Sequence, residues 1–151
     1  MREILFRGKR KDNGEWIYGV PITDEATNDA YIITSTAGAS LKSEINNMCA
    51  TGFRIIRNTV GQYTGLTDKN GTRIFEGDIL GYSEQSKLRY LNNVRFVVLY
   101  ENFNACFVVE RYVNGNYKLQ KRLATFNPSK HLEVIGNVYD NPELLKCDNR
   151  K

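Results

Sequence analysis

The chain has 151 residues, 41% of them hydrophobic and 25% charged, a composition typical of a globular protein rather than a disordered one. No run of apolar and aromatic residues is longer than the five at positions 96–100, far short of the ~20 residues that span a bilayer. Twenty-one Lys and Arg against 17 Asp and Glu give a net charge of +4, which permits contact with nucleic acid without requiring it. We expect no membrane partner.

Three Asn-Gly pairs, at positions 13–14, 70–71 and 114–115, are flanked by aromatic and β-branched residues. Asn-Gly accepts the positive φ angles of a tight turn between antiparallel strands, so each pair predicts a β-hairpin. The apolar runs between these turns predict further strands. The predicted strands cover residues 4–9, 15–20, 31–34, 53–56, 72–75, 78–82, 94–100, 106–113, 117–123 and 132–138.

Two short helices are also predicted. One covers residues 41–49, where apolar residues recur at the spacing of one helical face, and the other covers 142–145, which begins with a proline. We expect a mainly β protein (a β-rich α+β fold) of antiparallel hairpins, with a small SH3-like barrel or curled sheet in its C-terminal half. The expected regions are a β-rich N-terminal region with one helix over 1–66, the barrel or curled sheet over 67–145, and a polar tail over 146–151.

The three cysteines, Cys49, Cys106 and Cys147, are odd in number and widely spaced, and none belongs to a CxxC pair. This pattern predicts no zinc site and no disulfide, as in a protein of the reducing cytosol. Cys106 lies in an apolar run and is expected to be buried, whereas Cys147 lies in the polar tail and is expected to be exposed. The N-terminus lacks the apolar segment of a secretory signal, so we expect a cytoplasmic protein.

The sequence contains no GxSxG, P-loop, GxGxxG or HExxH motif. His131 is the single histidine, and nothing in the sequence places a cysteine beside it as a nucleophile. Glu76 and Asp78 would share one face of an extended strand, close enough to hold a cation, but Gly77 between them favours a turn that Asp78 closes. We expect no catalytic residues, no metal and no cofactor, and therefore not an enzyme.

Basic residues cluster near the N-terminus, at Arg7, Lys9, Arg10 and Lys11. One interpretation is a patch that binds the phosphates of a nucleic acid, and the other is the solvated end of a strand. The many tyrosines and phenylalanines fit both a sheet core and a stacking platform for single-stranded nucleic acid. Without an RNP motif or an Arg-rich recognition helix, sequence-specific readout is not expected.

Three segments carry a resemblance to a known family. They read REILFRG at 2–8, TVGQYTGLTDKNGTRIFEGDIL at 59–80 and EVIGNVYDNPELL at 133–145. In order and spacing they resemble the YopX family of phage and prophage proteins, over about residues 2–145. The resemblance implies a mostly β fold and an origin in temperate phage or prophage genomes. The family has no assigned activity, so it supplies no catalytic residues.

The leading hypothesis is a phage or prophage accessory protein that binds a macromolecule in the bacterial cytoplasm, either a host or phage protein or a nucleic acid. Polar side chains within the densest motif are suited either to a binding surface or to a structural turn. They are Gln62, Tyr63, Thr64, Asp68, Glu76 and Asp78. Two alternatives stay open: a small-ligand-binding protein or enzyme with its site near 61–78, and a self-assembling homo-oligomer that pairs through exposed strand edges.

Overall fold

The computed structural model describes four segments of the chain, residues 3–34, 52–82, 94–113 and 116–146. Several sequence predictions fall outside these segments and keep their status as predictions. They are the helix at 41–49, the Asn-Gly pair at 114–115 and the exposure of Cys147.

The chain forms two compact units, Met1–Tyr63 and Thr64–Lys151, whose boundary falls within strand β5 (Gly61–Thr67). Each unit contains its own cluster of buried apolar side chains. The predicted regions 1–66, 67–145 and 146–151 stay a prediction.

In the N-terminal unit, antiparallel strands pair in the order β4-β3-β2-β1-β5. The bounds are β1 Phe6–Lys9, β2 Trp16–Asp24, β3 Asp29–Ile33 and β4 Gly52–Ile55. The predicted hairpin at 13–14 joins β1 to β2, with Gly14 at φ +76°. Its loop is longer than two residues, because it closes with a hydrogen bond from the N–H of Arg10 to the carbonyl of Glu15 at 2.8 Å.

The core of the N-terminal unit is built on β3 and β4. Ala30, Ile32 and Ile55 are buried, and Ile17 and Val60 pack against them. The neighbouring position on β1 is a glycine for steric reasons, since a Cβ on Gly8 would lie 2.7 Å from Cδ1 of Ile55. The close approach of β1 to this core therefore depends on the missing side chain.

In the C-terminal unit, a five-stranded antiparallel sheet has the order β10-β9-β8-β7-β11, while β6 pairs with β5. The bounds are β6 Arg73–Phe75, β7 Asp78–Tyr82, β8 Val94–Glu101, β9 Cys106–Val113, β10 Asn116–Arg122 and β11 Leu132–Asn137. Helix α1 (Pro128–His131) and 3-10 turns at Leu123–Phe126 and Pro142–Leu145 complete the unit. The predicted mainly β fold with antiparallel hairpins is confirmed.

Phe96 lies at the centre of the C-terminal core and is 1% exposed. Its ring centroid is 5.6 Å from that of Tyr82 and 4.9 Å from that of Phe126, so it packs between β7 and the 3-10 turn after β10. The buried residues around it come from β6 to β9, from that turn and from β11. They are Ile74, Leu80, Val94, Val98, Val109, Leu123 and Leu132.

Cys106 departs from the prediction that it is buried. The residue is half-buried, because it opens β9 directly after the loop that follows β8 and lies opposite Glu101 at the end of the ladder. Among the described residues, none of the helices has both the length and the apolar character that crossing a bilayer requires.

Candidate functional site

Asp68, which follows β5 directly, is 2% exposed, and backbone N–H groups surround its carboxylate. Oδ1 accepts hydrogen bonds from the N–H groups of Asn70 and Thr72, both at 2.8 Å. Oδ2 accepts a hydrogen bond from the N–H of Val134 at 3.0 Å. These bonds replace the water that burial removes from the carboxylate, so Asp68 joins the turn after β5 to strand β11.

Three polar residues predicted for binding lie on β5. In the N-terminal unit, Gln62 is half-buried, and Tyr63 is 7% exposed and donates its backbone N–H to the carbonyl of Leu5 at 2.8 Å. In the C-terminal unit, Thr64 is also 7% exposed, and its hydroxyl donates to the carbonyl of Ile74 at 2.9 Å. These hydrogen bonds of Tyr63 and Thr64 hold β5 to its neighbours.

Glu76 and Asp78 flank a turn between β6 and β7, because Gly77 adopts φ +79°. Asp78 is 1% exposed, and its Oδ2 accepts the N–H of Phe75 at 2.8 Å, as in the interpretation that it closes a turn. Within the part of the chain that the structure describes, no three His, Cys, Asp or Glu residues are grouped so that they could hold a metal ion. A binding role for the polar residues of 61–78 stays a prediction.

The four basic residues near the N-terminus differ in burial. Arg7 is 7% exposed, and its guanidinium lies 4.7 Å from the ring centroid of Trp16. Lys9 and Arg10 are half-buried, and Lys11 in the following turn is exposed. The four cations are therefore unequally accessible to a phosphate group, and the predicted nucleic-acid patch stays a prediction.

A surface pocket of about 340 Å³ lies beside the turn between β1 and β2 and is lined by Arg10, Lys11, Asp12, Phe53 and Arg54. The guanidinium of Arg10 stacks 4.5 Å from the ring centroid of Phe53 and donates to Oδ1 of Asp12 at 3.0 Å. That hydrogen bond raises the pKa of Arg10 and lowers the pKa of Asp12. Arg54 donates to Oδ1 of Asp29 at 2.9 Å. Carboxylates thus offset both arginine charges, which weakens the attraction of the pocket for phosphate.

The loop between β8 and β9 presents an aromatic side chain to solvent. Phe103 is 94% exposed, and Tyr100 at the end of β8 is 41% exposed. The ring of Tyr100 meets that of Phe107 edge to face, with centroids 5.3 Å apart. We call Tyr100, Phe103 and Phe107 the aromatic tip.

The carboxylate of Glu101 orders the loop that carries Phe103. It accepts hydrogen bonds from the backbone N–H groups of Phe103 at 2.8 Å and Asn104 at 2.9 Å, and from Nδ2 of Asn104 at 2.6 Å. Removal from water raises the pKa of Glu101, but these donors lower it by more, so the pKa lies below its ordinary value. Ala105 closes the loop in the left-handed region, at φ +48°. The aromatic side chain is therefore displayed on a preorganised loop.

Sequence reasoning did not select the aromatic tip. The predicted strands at 94–100 and 106–113 left residues 101–105 as a connection, and a phenylalanine between two asparagines within it was the available signal. Exposed turns favour polar residues and glycine, so a large aromatic residue there is unusual in composition. Only the folded structure shows that Phe103 is exposed, because the sequence does not say which way the loop turns.

The family model described as YopX protein matches residues 5–146, which confirms the resemblance seen in the sequence. The crystal structure of protein EF1440 from Enterococcus faecalis is similar, with a TM-score of 0.55 and 22% sequence identity. The match covers 97% of this chain and 100% of that chain and shows a shared fold. No curated protein matches the sequence.

Proposed function

Because the chain belongs to the YopX family, we propose that it is an accessory protein of a phage or prophage that binds a protein partner through its aromatic tip. The observation that carries the proposal is Phe103, 94% exposed on a loop whose backbone is held by Glu101. An apolar side chain in that position contributes nothing to the core. It can bury most of its surface only against another molecule.

The order of the loop favours tight binding. A flexible loop loses conformational freedom when a partner captures it, and that loss subtracts from the affinity. Here the hydrogen bonds from Phe103 and Asn104 to Glu101 already restrict the loop before any encounter. Aromatic residues in such positions are typical centres of protein interfaces, where a few side chains supply most of the binding free energy.

The charges near the tip favour a protein over a nucleic acid. Residues 101–107 contain no lysine or arginine, whereas single-stranded nucleic acid binds where aromatic rings lie in a basic groove. Lys121 and Arg122 are exposed at the end of β10, and Arg122 lies opposite Val108. These two cations make nucleic acid the competing partner that the experiment must test.

The test replaces Phe103 by the photo-reactive benzoylphenylalanine in the full chain, expressed in a bacterial host. Illumination should attach one protein through position 103, and the same probe at exposed Lys130 should not attach it. The attached protein is then purified, and its binding to the unmodified chain is measured. We expect Phe103→Ala to weaken that binding about 30-fold, a hot-spot effect of roughly 2 kcal/mol, while Asn102→Ala changes it less than about 3-fold.

Equal affinity for the wild type and for Phe103→Ala would contradict the proposal. A fluorescence anisotropy titration with a single-stranded oligonucleotide tests the competing partner. If binding needs Phe103 and weakens steeply as salt rises, the partner is a nucleic acid and not a protein.

A further inference from the structure

An apolar face lies on the N-terminal unit, away from the aromatic tip in sequence. Tyr18, Val20 and Ile22 alternate along β2 and are 48%, 62% and 36% exposed. Alternate residues of a strand point to the same side of the sheet, so the three side chains form one stripe. Ala30, Ile32 and Ile55 build the core of this unit without them.

The stripe continues on β3. Ile33 lies opposite Val20 and Tyr31 lies opposite Ile22, and directly opposed residues share one face of a sheet. Both β3 residues are half-buried. We call Tyr18, Val20, Ile22, Tyr31 and Ile33 the apolar face. Exposed apolar patches with a polar rim are typical of interaction sites.

Charges of opposite sign lie at the two ends of β2, on the same side as the apolar face. At the start of the strand, Lys9 is opposite Trp16. At its end, Asp24 is opposite Asp29, and Arg54 donates a hydrogen bond to Oδ1 of Asp29. Hydrogen bonds to Asp24 from the hydroxyl of Thr27 and from backbone N–H groups lower the pKa of Asp24, so it stays negative at neutral pH.

We propose that a second copy of this chain packs on the apolar face, with the two β2 strands antiparallel about a two-fold axis. A two-fold axis that lies in the interface and runs perpendicular to the strands brings the Lys9 end of one copy against the Asp24 end of the other, while the two apolar faces pack together. An axis parallel to the strands would instead place like charges together. The face is thus self-complementary in the way that a symmetric dimer interface requires.

The test measures the mass of the chain in solution by size-exclusion chromatography with light scattering. The protein concentration runs from about 1 to 200 µM, a range that includes the dissociation constants of ordinary dimers. We expect a mass of two chains, or an even multiple of two. Val20→Asp puts a charge in the centre of the face and should halve that mass. Thr23→Asp is the matched control, since Thr23 is exposed on the same strand but opposes Ala30 in the core layer. It should leave the mass unchanged.

A second pair of variants tests the antiparallel arrangement. Lys9→Glu would set like charges against Asp24 of the other copy and should raise the dissociation constant at least about 10-fold. Lys11→Glu makes the same charge change on the exposed turn outside the face and should have little effect. Circular dichroism confirms that each variant is folded before its mass is interpreted.

A mass of one chain throughout the range would overturn the pairing, and so would an assembly that Val20→Asp does not reduce. Equal effects of Lys9→Glu and Lys11→Glu would overturn the antiparallel arrangement. None of these results bears on the aromatic tip, because binding of a partner through Phe103 is measured with Val20 unchanged. The two proposals therefore fail separately.

Discussion

Oδ2 of Asp68 accepts a hydrogen bond from the backbone N–H of Val134 at 3.0 Å, although 66 positions separate the two residues in the chain. Beside it, the N–H of Lys69 donates to the carbonyl of Leu132 at 3.0 Å, and Nζ of Lys69 lies 2.9 Å from Oε2 of Glu133. The contact joins the two sequence segments, 59–80 and 133–145, that carry most of the family resemblance. Those motifs therefore have a structural role in the C-terminal unit.

Asp68→Asn should destabilise the protein by about 1–3 kcal/mol. An amide at this position keeps one acceptor, but its NH₂ group then faces a backbone N–H, so one buried donor loses its partner. The free energy of unfolding from urea titration at pH 7 measures the loss. Asp12→Asn, in the exposed turn after β1, is the control and should cost less than about 1 kcal/mol. Equal losses of unfolding free energy in Asp68→Asn and Asp12→Asn would show that the buried carboxylate has no special role.

Gly71 and Gly77 both have positive φ, +83° and +79°, but their surroundings differ. A Cβ on Gly71 meets nothing within 4 Å, so Gly71→Ala should cost about 1 kcal/mol of backbone strain. A Cβ on Gly77 would lie 3.0 Å from Cε2 of Tyr139, which should add about 1–3 kcal/mol. Thermal melting compares the two variants. Gly71→Asn should recover part of the loss, because asparagine tolerates this conformation. A larger loss for Gly71→Ala than for Gly77→Ala would contradict the contact argument.

Two phenylalanines allow one substitution to be compared at opposite extremes of burial. Phe96→Ala removes a ring that is 1% exposed and should cost about 3–5 kcal/mol. Phe103→Ala removes a ring that is 94% exposed and should change stability by less than about 0.5 kcal/mol. Urea titrations of both variants check this. A large loss of stability in Phe103→Ala would mean that the ring packs within the protein. The proposed binding role of the aromatic tip would then have no support.

The order of the β8–β9 loop should depend on pH. Removal from water raises the pKa of Glu101, but hydrogen-bond donors from Asn104 and Phe103 lower it by more, so the folded pKa lies below the ordinary value of 4.5. A lowered pKa in the folded state means that the stabilisation is present above the unfolded pKa and is lost as pH falls through the folded one. The NMR amide shifts of Phe103 and Asn104 should move together with a midpoint below 4.5. Glu101→Gln should abolish that transition, and a midpoint above the ordinary value would refute the assignment.

The local sequence pattern was sufficient to predict most of the strands. The predicted strands at 78–82 and 106–113 coincide with β7 and β9, because apolar and β-branched residues fill them and turn residues bound them. The Asn-Gly pair at 70–71 lies in a turn closed by a hydrogen bond from the N–H of Gly71 to the carbonyl of Asp68. Strand β5 was missed, since its residues GQYTGLT contain two glycines and lack an apolar alternation. Its pairing comes from neighbours that a local pattern does not include.

The sequence by itself determined the class of this protein: hairpin turns, the strands beside them and membership of a family. Only the tertiary structure decided which side chains reach solvent. On β2, residues of WIYGVPITD are apolar on both sides of the strand, so alternation could not distinguish the core side from the side of Val20. Burial depends on which strands and turns cover a face, and those come from distant parts of the chain. For the same reason, the buried contact of Asp68 and the exposed ring of Phe103 became visible only in the folded structure.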